Sequence, residues 1–74
     1  MKVGVPKEIK NNESRVGLTP ESVKVLTDQN NKVFIQAGAG LGIGFNDSDY
    51  EIAGASILNS ANEVYSESEL IVKV

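Results

Sequence analysis

The sequence predicts an α/β fold, and three observations lead there. Short apolar runs rich in β-branched residues alternate along the chain with segments of helical periodicity, the order that gives a parallel sheet with crossover helices. The run Val33-Phe34-Ile35 shows no polar alternation, as expected of a strand covered on both faces. Capping residues, Thr19-Pro20, Asn46 and Ser60, stand where the helical segments should open. Together they describe a Rossmann-like parallel sheet of about four strands with short crossover helices.

A first strand covers residues 2 to 5 and stops at Pro6, whose fixed φ and missing N–H end a central strand. A largely polar loop follows. Thr19 then caps a helix over residues 20 to about 29, with Val23 and Leu26 on one face and Val25 flanking them. Asn30 can close that helix, since Asn is the next-best residue after Gly for a left-handed cap. The second strand spans residues 32 to 37 and should join the first through a right-handed crossover. Asn46-Asp47-Ser48-Asp49 offers a cap and first-turn acids for a short helix through about Ala53, with Gly54 to close it. Residues 56 to 58 form a brief third strand. Ser60-Ala61-Asn62-Glu63 fits a capping box, in which each side chain satisfies a backbone donor at the start of a short helix carrying Val64 and Tyr65. Residues 70 to 74 form a fourth strand, whose position leaves a sheet edge or apolar surface to be covered.

Composition excludes several classes of function. The 74 residues suffice for one small domain, which buries only about 60% of its unfolded surface and is marginal alone. With neither cysteine nor histidine, disulfides and a structural zinc site are not expected. No apolar run approaches the roughly 20 residues of a membrane span, and the amino terminus lacks a signal-peptide core, so no membrane association and a cytoplasmic location are expected. A formal charge of −3 argues against nucleic acid as a partner. The charge is unevenly spread. Residues 1 to 15 carry a local balance of +2, whereas residues 46 to 69 hold six acids and no base. A positive amino-terminal loop on an acidic body can steer a small anion, or it can simply be a solvated surface.

Arg15 is the chain's only arginine, and it lies in the loop between the first strand's end and the Thr19-Pro20 helix start. Ligands of parallel α/β folds bind at the carboxyl ends of strands, so a guanidinium there can clamp a carboxylate or phosphate through its planar fork. A solvated arginine paired with Glu8 or Glu13 is the plainer alternative. The surrounding residues weigh on that choice. Gly4-Val5-Pro6, Glu8, Asn12-Glu13, Arg15-Val16, Thr19-Pro20, Val23 and Leu26 fall at the spacings of a dense amino-terminal signature. The pattern continues through Gln36-Ala37-Gly38-Ala39-Gly40, Ala53-Gly54-Ala55 and Leu70-Ile71-Val72-Lys73-Val74. The whole chain thereby resembles the amino-terminal domain of the alanine dehydrogenase and pyridine nucleotide transhydrogenase family. Within the family, Lys7-Glu8-Ile9-Lys10-Asn11-Asn12-Glu13 looks more like an alanine dehydrogenase than a transhydrogenase. Two departures are Gly17, where the family usually has Ala, and Asn30, where Gly usually closes the helix. Gly17 carries a backbone-entropy cost and is expected to loosen the loop bearing Arg15.

The resemblance implies a truncated amino-terminal substrate domain over residues 1 to 74, with the NAD-binding domain absent. It implies an oxidoreductase of L-alanine catabolism that interconverts L-alanine with pyruvate and ammonia using NAD. Arg15 would bind the carboxylate of that small 2-oxo acid or amino acid. The family's substrate lysine and catalytic histidine fall after the final strand, so Lys73 takes no such role and no catalytic residue is assigned in this chain. The isolated chain is expected to be inactive and to bind no NAD, and to act as a homo-oligomer or with a complementing fragment. The competing readings are a non-catalytic remnant or interaction module, and a piece of a transhydrogenase or another amino-acid dehydrogenase.

Other motifs promise less. Gly38-Ala39-Gly40-Leu41-Gly42-Ile43-Gly44 follows a strand, but in no register does it give G-x-G-x-x-G, because the third glycine would fall at Ile43 or Phe45. A flexible loop that lets chain segments pass closely fits better than a nucleotide cradle. Asp47, Asp49 and Glu51 lack the further ligands of a calcium loop and fit as helix-start acids. Tyr50 and Tyr65 fit as partly buried helix residues without a chemical role. Ser14 has no histidine to activate it.

Overall fold

The computed structural model describes residues 1–8 and 16–73. Among the described residues, strand β1 (Lys2–Val5), helix α1 (Pro20–Asp28), strand β2 (Lys32–Gln36), helix α2 (Asp47–Ile52), strand β3 (Ser56–Leu58), helix α3 (Ala61–Glu67) and strand β4 (Leu70–Ile71) follow the predicted order, and a 3-10 turn (Leu41–Ile43) lies between β2 and α2, where the sequence predicts a loop. The four strands form one sheet in the order β3-β2-β1-β4, and every neighbouring pair is parallel. The predicted α/β class is the observed one.

Strand alternation sorts the sheet into two faces. Val3 and Val5 of β1 and Val33 and Ile35 of β2 point to one face, where Val23 of α1 and Tyr50 of α2 complete the buried core. Burying each such side chain contributes about 1.5–3 kcal/mol. Gly4 faces the other way, toward α3. A β-carbon on Gly4 would come within 2.8 Å of Val64 Cγ1, so the absent side chain is what lets α3 lie close on the sheet. On α1, Val23 is buried and Leu26 packs against the core, as the periodicity predicts, while Val25, expected to flank that face, is exposed. Tyr50 is fully buried, whereas Tyr65 is 48% exposed, so the expectation of a partly buried Tyr65 gives way to a surface ring.

The helix ends follow local chemistry. Thr19 Oγ1 accepts from the Ser22 N–H at 3.3 Å, and Pro20 occupies the first turn. After α1, Asn30 adopts φ 68°, the left-handed cap that the sequence predicts. The Asn30 N–H then donates to the Thr27 carbonyl and the Asn31 N–H to the Leu26 carbonyl, both at 3.1 Å, which closes a Schellman motif. Ser60 caps α3 by accepting from the Glu63 N–H at 3.2 Å. The return arm differs from the expected box, because Glu63 Oε1 accepts the Ser60 hydroxyl at 3.1 Å. A reciprocal arm does form one helix earlier, where Asp49 Oδ2 accepts from the Asn46 N–H at 2.8 Å.

The fourth strand is shorter than residues 70 to 74. It pairs with β1 only through Val3↔Leu70 and Gly4↔Ile71, followed by a Val72 N–H bond to the Gly4 carbonyl at 2.9 Å. Pro6 has no N–H with which to extend that ladder. Val74 lies outside the described residues.

Candidate functional site

The carboxyl ends of the parallel strands converge at one edge of the sheet, and two connections are built there. Val5 of β1 leads through Pro6 to Lys7, whose backbone N–H donates to the side-chain oxygen of Gln36 at the end of β2, at 2.7 Å. This bond ties the start of the loop after β1 to the neighbouring strand. Arg15 itself lies outside the described residues, as do Glu13 and Ser14. The chain becomes describable again at Val16.

Residues 16 to 19 are half-buried. Val16 and Leu18 pack against the core together with Val72. Between them, a β-carbon on Gly17 would lie 2.5 Å from the Val72 carbonyl oxygen and 2.9 Å from its carbon. Gly17 therefore lets the backbone after Arg15 pass directly against the end of β4. The expected loosening at Gly17 is set beside a second effect of the missing side chain, which is close contact with neighbouring backbone.

Leu18 is anchored from α2. The Tyr50 hydroxyl donates to the Leu18 carbonyl at 2.8 Å. Burial raises the Tyr50 pKa above its ordinary value, with Asp47 and Asp49 adding in the same direction, so the hydroxyl keeps its proton throughout the neutral range. The ring meets Phe45 edge-on, with centroids 6.3 Å apart. Gly40 clears space for it, since a β-carbon there would come within 2.6 Å of Tyr50 Cε2. The glycine-rich loop thus allows close passage of chain segments, as the sequence predicts. Sequence reasoning gave Tyr50 no role because a tyrosine in a short helix carries no signal of where its hydroxyl ends. Gln36 stands in the sequence only as part of the family pattern, because its bond to Lys7 joins residues 29 apart in the chain.

The same loop shows where its polar groups are used. The Gly38 N–H, at φ 82°, donates to Asp47 Oδ1 at 2.8 Å. Asp47 and Asp49 are thereby engaged with backbone donors, as helix-start acids should be. Among the described residues no group of three or more acidic side chains is placed to hold a metal ion. A concavity of about 540 Å³ lies at the opposite edge, lined by Lys2, Lys32 and Ser56 at the strand starts and by Thr27, Asn31 and Glu67. It is remote in the fold from the strand ends where ligands of parallel α/β sheets bind.

The family model described as alanine dehydrogenase/PNT, N-terminal domain, matches residues 4–74. The chain belongs to this family. Across the alanine dehydrogenase/PNT amino-terminal domain, it is 54% identical over 74 residues to an alanine dehydrogenase of Mycolicibacterium smegmatis and 51% identical to one of Methanococcus maripaludis. Each comparison covers 100% of this chain and 20% of the relative, so the chain spans about a fifth of the length of the relatives it matches. A solved L-alanine dehydrogenase superposes with a TM-score of 0.95 at 52% identity, covering 99% of this chain and 20% of that one. A transhydrogenase from Sinorhizobium meliloti superposes at 0.87 with 38% identity over the same shares. Within the alanine dehydrogenase/PNT family, the dehydrogenase structure is the nearer of these two in both sequence and shape.

Proposed function

We propose that this chain is the amino-terminal part of an alanine dehydrogenase, an enzyme that interconverts L-alanine with pyruvate and ammonia using NAD, and that Arg15 binds the substrate carboxylate. The observation that carries this reading is the match to alanine dehydrogenases along the whole chain, at 54% identity in sequence and a TM-score of 0.95 in structure. The described ends of the loop that carries Arg15 support this reading. The loop begins at a tie between β1 and β2 and returns against the end of β4, at the edge where parallel sheets bind ligands. A guanidinium there suits a small 2-oxo acid, because its two parallel donors fix a carboxylate in orientation as well as in place.

NAD does not fit the described residues. The one glycine-rich loop uses its Gly38 N–H on Asp47, and α2 opens with two carboxylates that would repel a pyrophosphate. We therefore assign NAD, the catalytic histidine and the substrate lysine to other parts of the completed enzyme. The isolated chain is then inactive and works within a homo-oligomer or with a complementing fragment, in the cytoplasm. No helix among the described residues is long and apolar enough to cross a membrane, which is compatible with that location. The transhydrogenase likeness keeps a second reading in view, in which the same domain belongs to a pyridine nucleotide transhydrogenase.

The test is NAD-dependent oxidation of L-alanine by the purified chain, alone and mixed with a piece of a related enzyme that begins after the position of Val74. Activity in the mixture alone is the expected result. Activity of the chain by itself would overturn the division of roles, and a folded but inactive mixture would favour a non-catalytic module.

A further inference from the structure

We propose that the concavity at the strand-start edge binds a phosphate group, held by the ammoniums of Lys2 and Lys32 and the hydroxyl of Ser56. The proposal is independent of Arg15 and of the carboxyl edge of the sheet. Lys2 and Lys32 are register partners in the pairing of β1 with β2. Side chains at paired positions of neighbouring strands emerge on the same face, and such strands run about 4.8 Å apart. Phe34 stands two residues after Lys32 on that face, and its register partner on β3 is Ser56. Three strands thereby bring two cations, a hydroxyl and a half-buried aromatic ring to one end of the sheet.

What these groups lack points to a ligand. Two like charges side by side repel, and they cost stability unless an opposite charge joins them. Among the described residues neither ammonium forms an ion pair, and the Ser56 hydroxyl has no hydrogen-bond partner. Glu67 lines the same concavity without an ion pair to either lysine, and Glu69 spends Oε1 on the Lys2 backbone N–H at 2.8 Å. The remaining polar side chains of the lining are engaged. The Thr27 hydroxyl donates to the Ala53 carbonyl at 2.8 Å, and the Asn31 amide donates to the Leu26 carbonyl at 3.1 Å. The groups left over are three donors, two of them charged, on a molecule whose net charge is −3. Two point charges from separate strands suit a dianion better than a single carboxylate, and lysine binds phosphate in this way. The volume of about 540 Å³ has room for more than the phosphate itself, and Phe34 offers an apolar wall for a carbon skeleton. A small organic phosphomonoester is the ligand class that uses all of these features.

The experiment is a titration of the purified chain with phenyl phosphate and, separately, with inorganic phosphate, at ionic strength held constant with chloride. Backbone amide resonances of Lys2, Lys32 and Ser56 should shift together and saturate with one Kd. Lys32→Gln should raise that Kd about tenfold through loss of a charged donor. Lys24→Gln is the control, since Lys24 is an exposed lysine of α1 paired with Asp28 at 2.8 Å, and it should leave Kd within about twofold. Absence of saturable shifts in wild type would overturn the proposal. So would equal weakening by Lys24→Gln and Lys32→Gln, which is the result of general attraction to surface charge.

The two titrants separate the sources of the phosphate group. Phenyl phosphate binding at least roughly threefold tighter than inorganic phosphate keeps the proposal with an organic ligand against Phe34, and equal binding keeps it with the free ion. Should Lys32→Gln not fold, Lys2→Gln decides, with the same tenfold rise expected and an unchanged Kd overturning the proposal.

Discussion

Two glycines and one arginine carry much of what is specific to this chain at the scale of single residues. Gly4→Ala would drive a β-carbon into Val64 and Ser68 on the underside of α3. Overpacking of this kind costs about 1–3 kcal/mol, which a denaturant titration of the variant should read as an earlier midpoint with the same slope. Gly17→Ala meets the Val72 backbone carbonyl, which cannot rotate away as a side chain can. Arg15→Lys has the opposite profile. It should leave the thermal midpoint within a degree or so while raising KM for pyruvate roughly 10- to 100-fold, because a lysine point charge replaces a bidentate fork. An unchanged KM would remove Arg15 from the site. Tyr50 adds a dependence on pH. Its folded pKa is raised, so its contribution to stability is fully present below the unfolded value near 10 and is lost as pH rises through the folded value. Melting curves across alkaline pH should show that loss in wild type and less of it in Tyr50→Phe.

The elements themselves are set by their ends more than by their lengths. Each of the three α-helices has nine residues or fewer, too short to persist in isolation. Their caps therefore matter. Thr19→Ala and Ser60→Ala should each destabilise the fold by about 1 kcal/mol, through the loss of the acceptor for the Ser22 or Glu63 N–H. Asn30 at φ 68° gives a test of opposite sign in two substitutions. Asn30→Gly should stabilise slightly and Asn30→Ala destabilise by about 1 kcal/mol, because only glycine enters the left-handed region without strain. The caps at Thr19, Asn30 and Ser60 were legible because they depend on residues adjacent in sequence. The length of β4 was not, since Leu70 to Val74 carries only Lys73 to interrupt its apolar run, while the pairing stops beside Pro6, the residue that follows the partner strand.

At the scale of the whole molecule, the sheet ends on two short strands, β3 with three residues and β4 with two, and its longest pairing is β1 with β2. Hydrogen exchange should find the slowest amides in Val33 and Ile35 and the fastest strand amides in β4, and addition of the complementing piece should slow β4 selectively. Equal protection of β4 with and without that piece would argue against docking at this edge. The sequence by itself determined the α/β class, the order of the elements, the helix caps and the resemblance to the alanine dehydrogenase and transhydrogenase family. These rest on periodicity, on capping chemistry within a few residues and on motif spacing, all local along the chain. Only the tertiary structure decided that Gly17 lies against Val72, that Tyr50 reaches Leu18, and that Gly40 makes room for the tyrosine ring. Those contacts join residues far apart in sequence, and their geometry comes from how two helices and a parallel sheet pack, which no local pattern records.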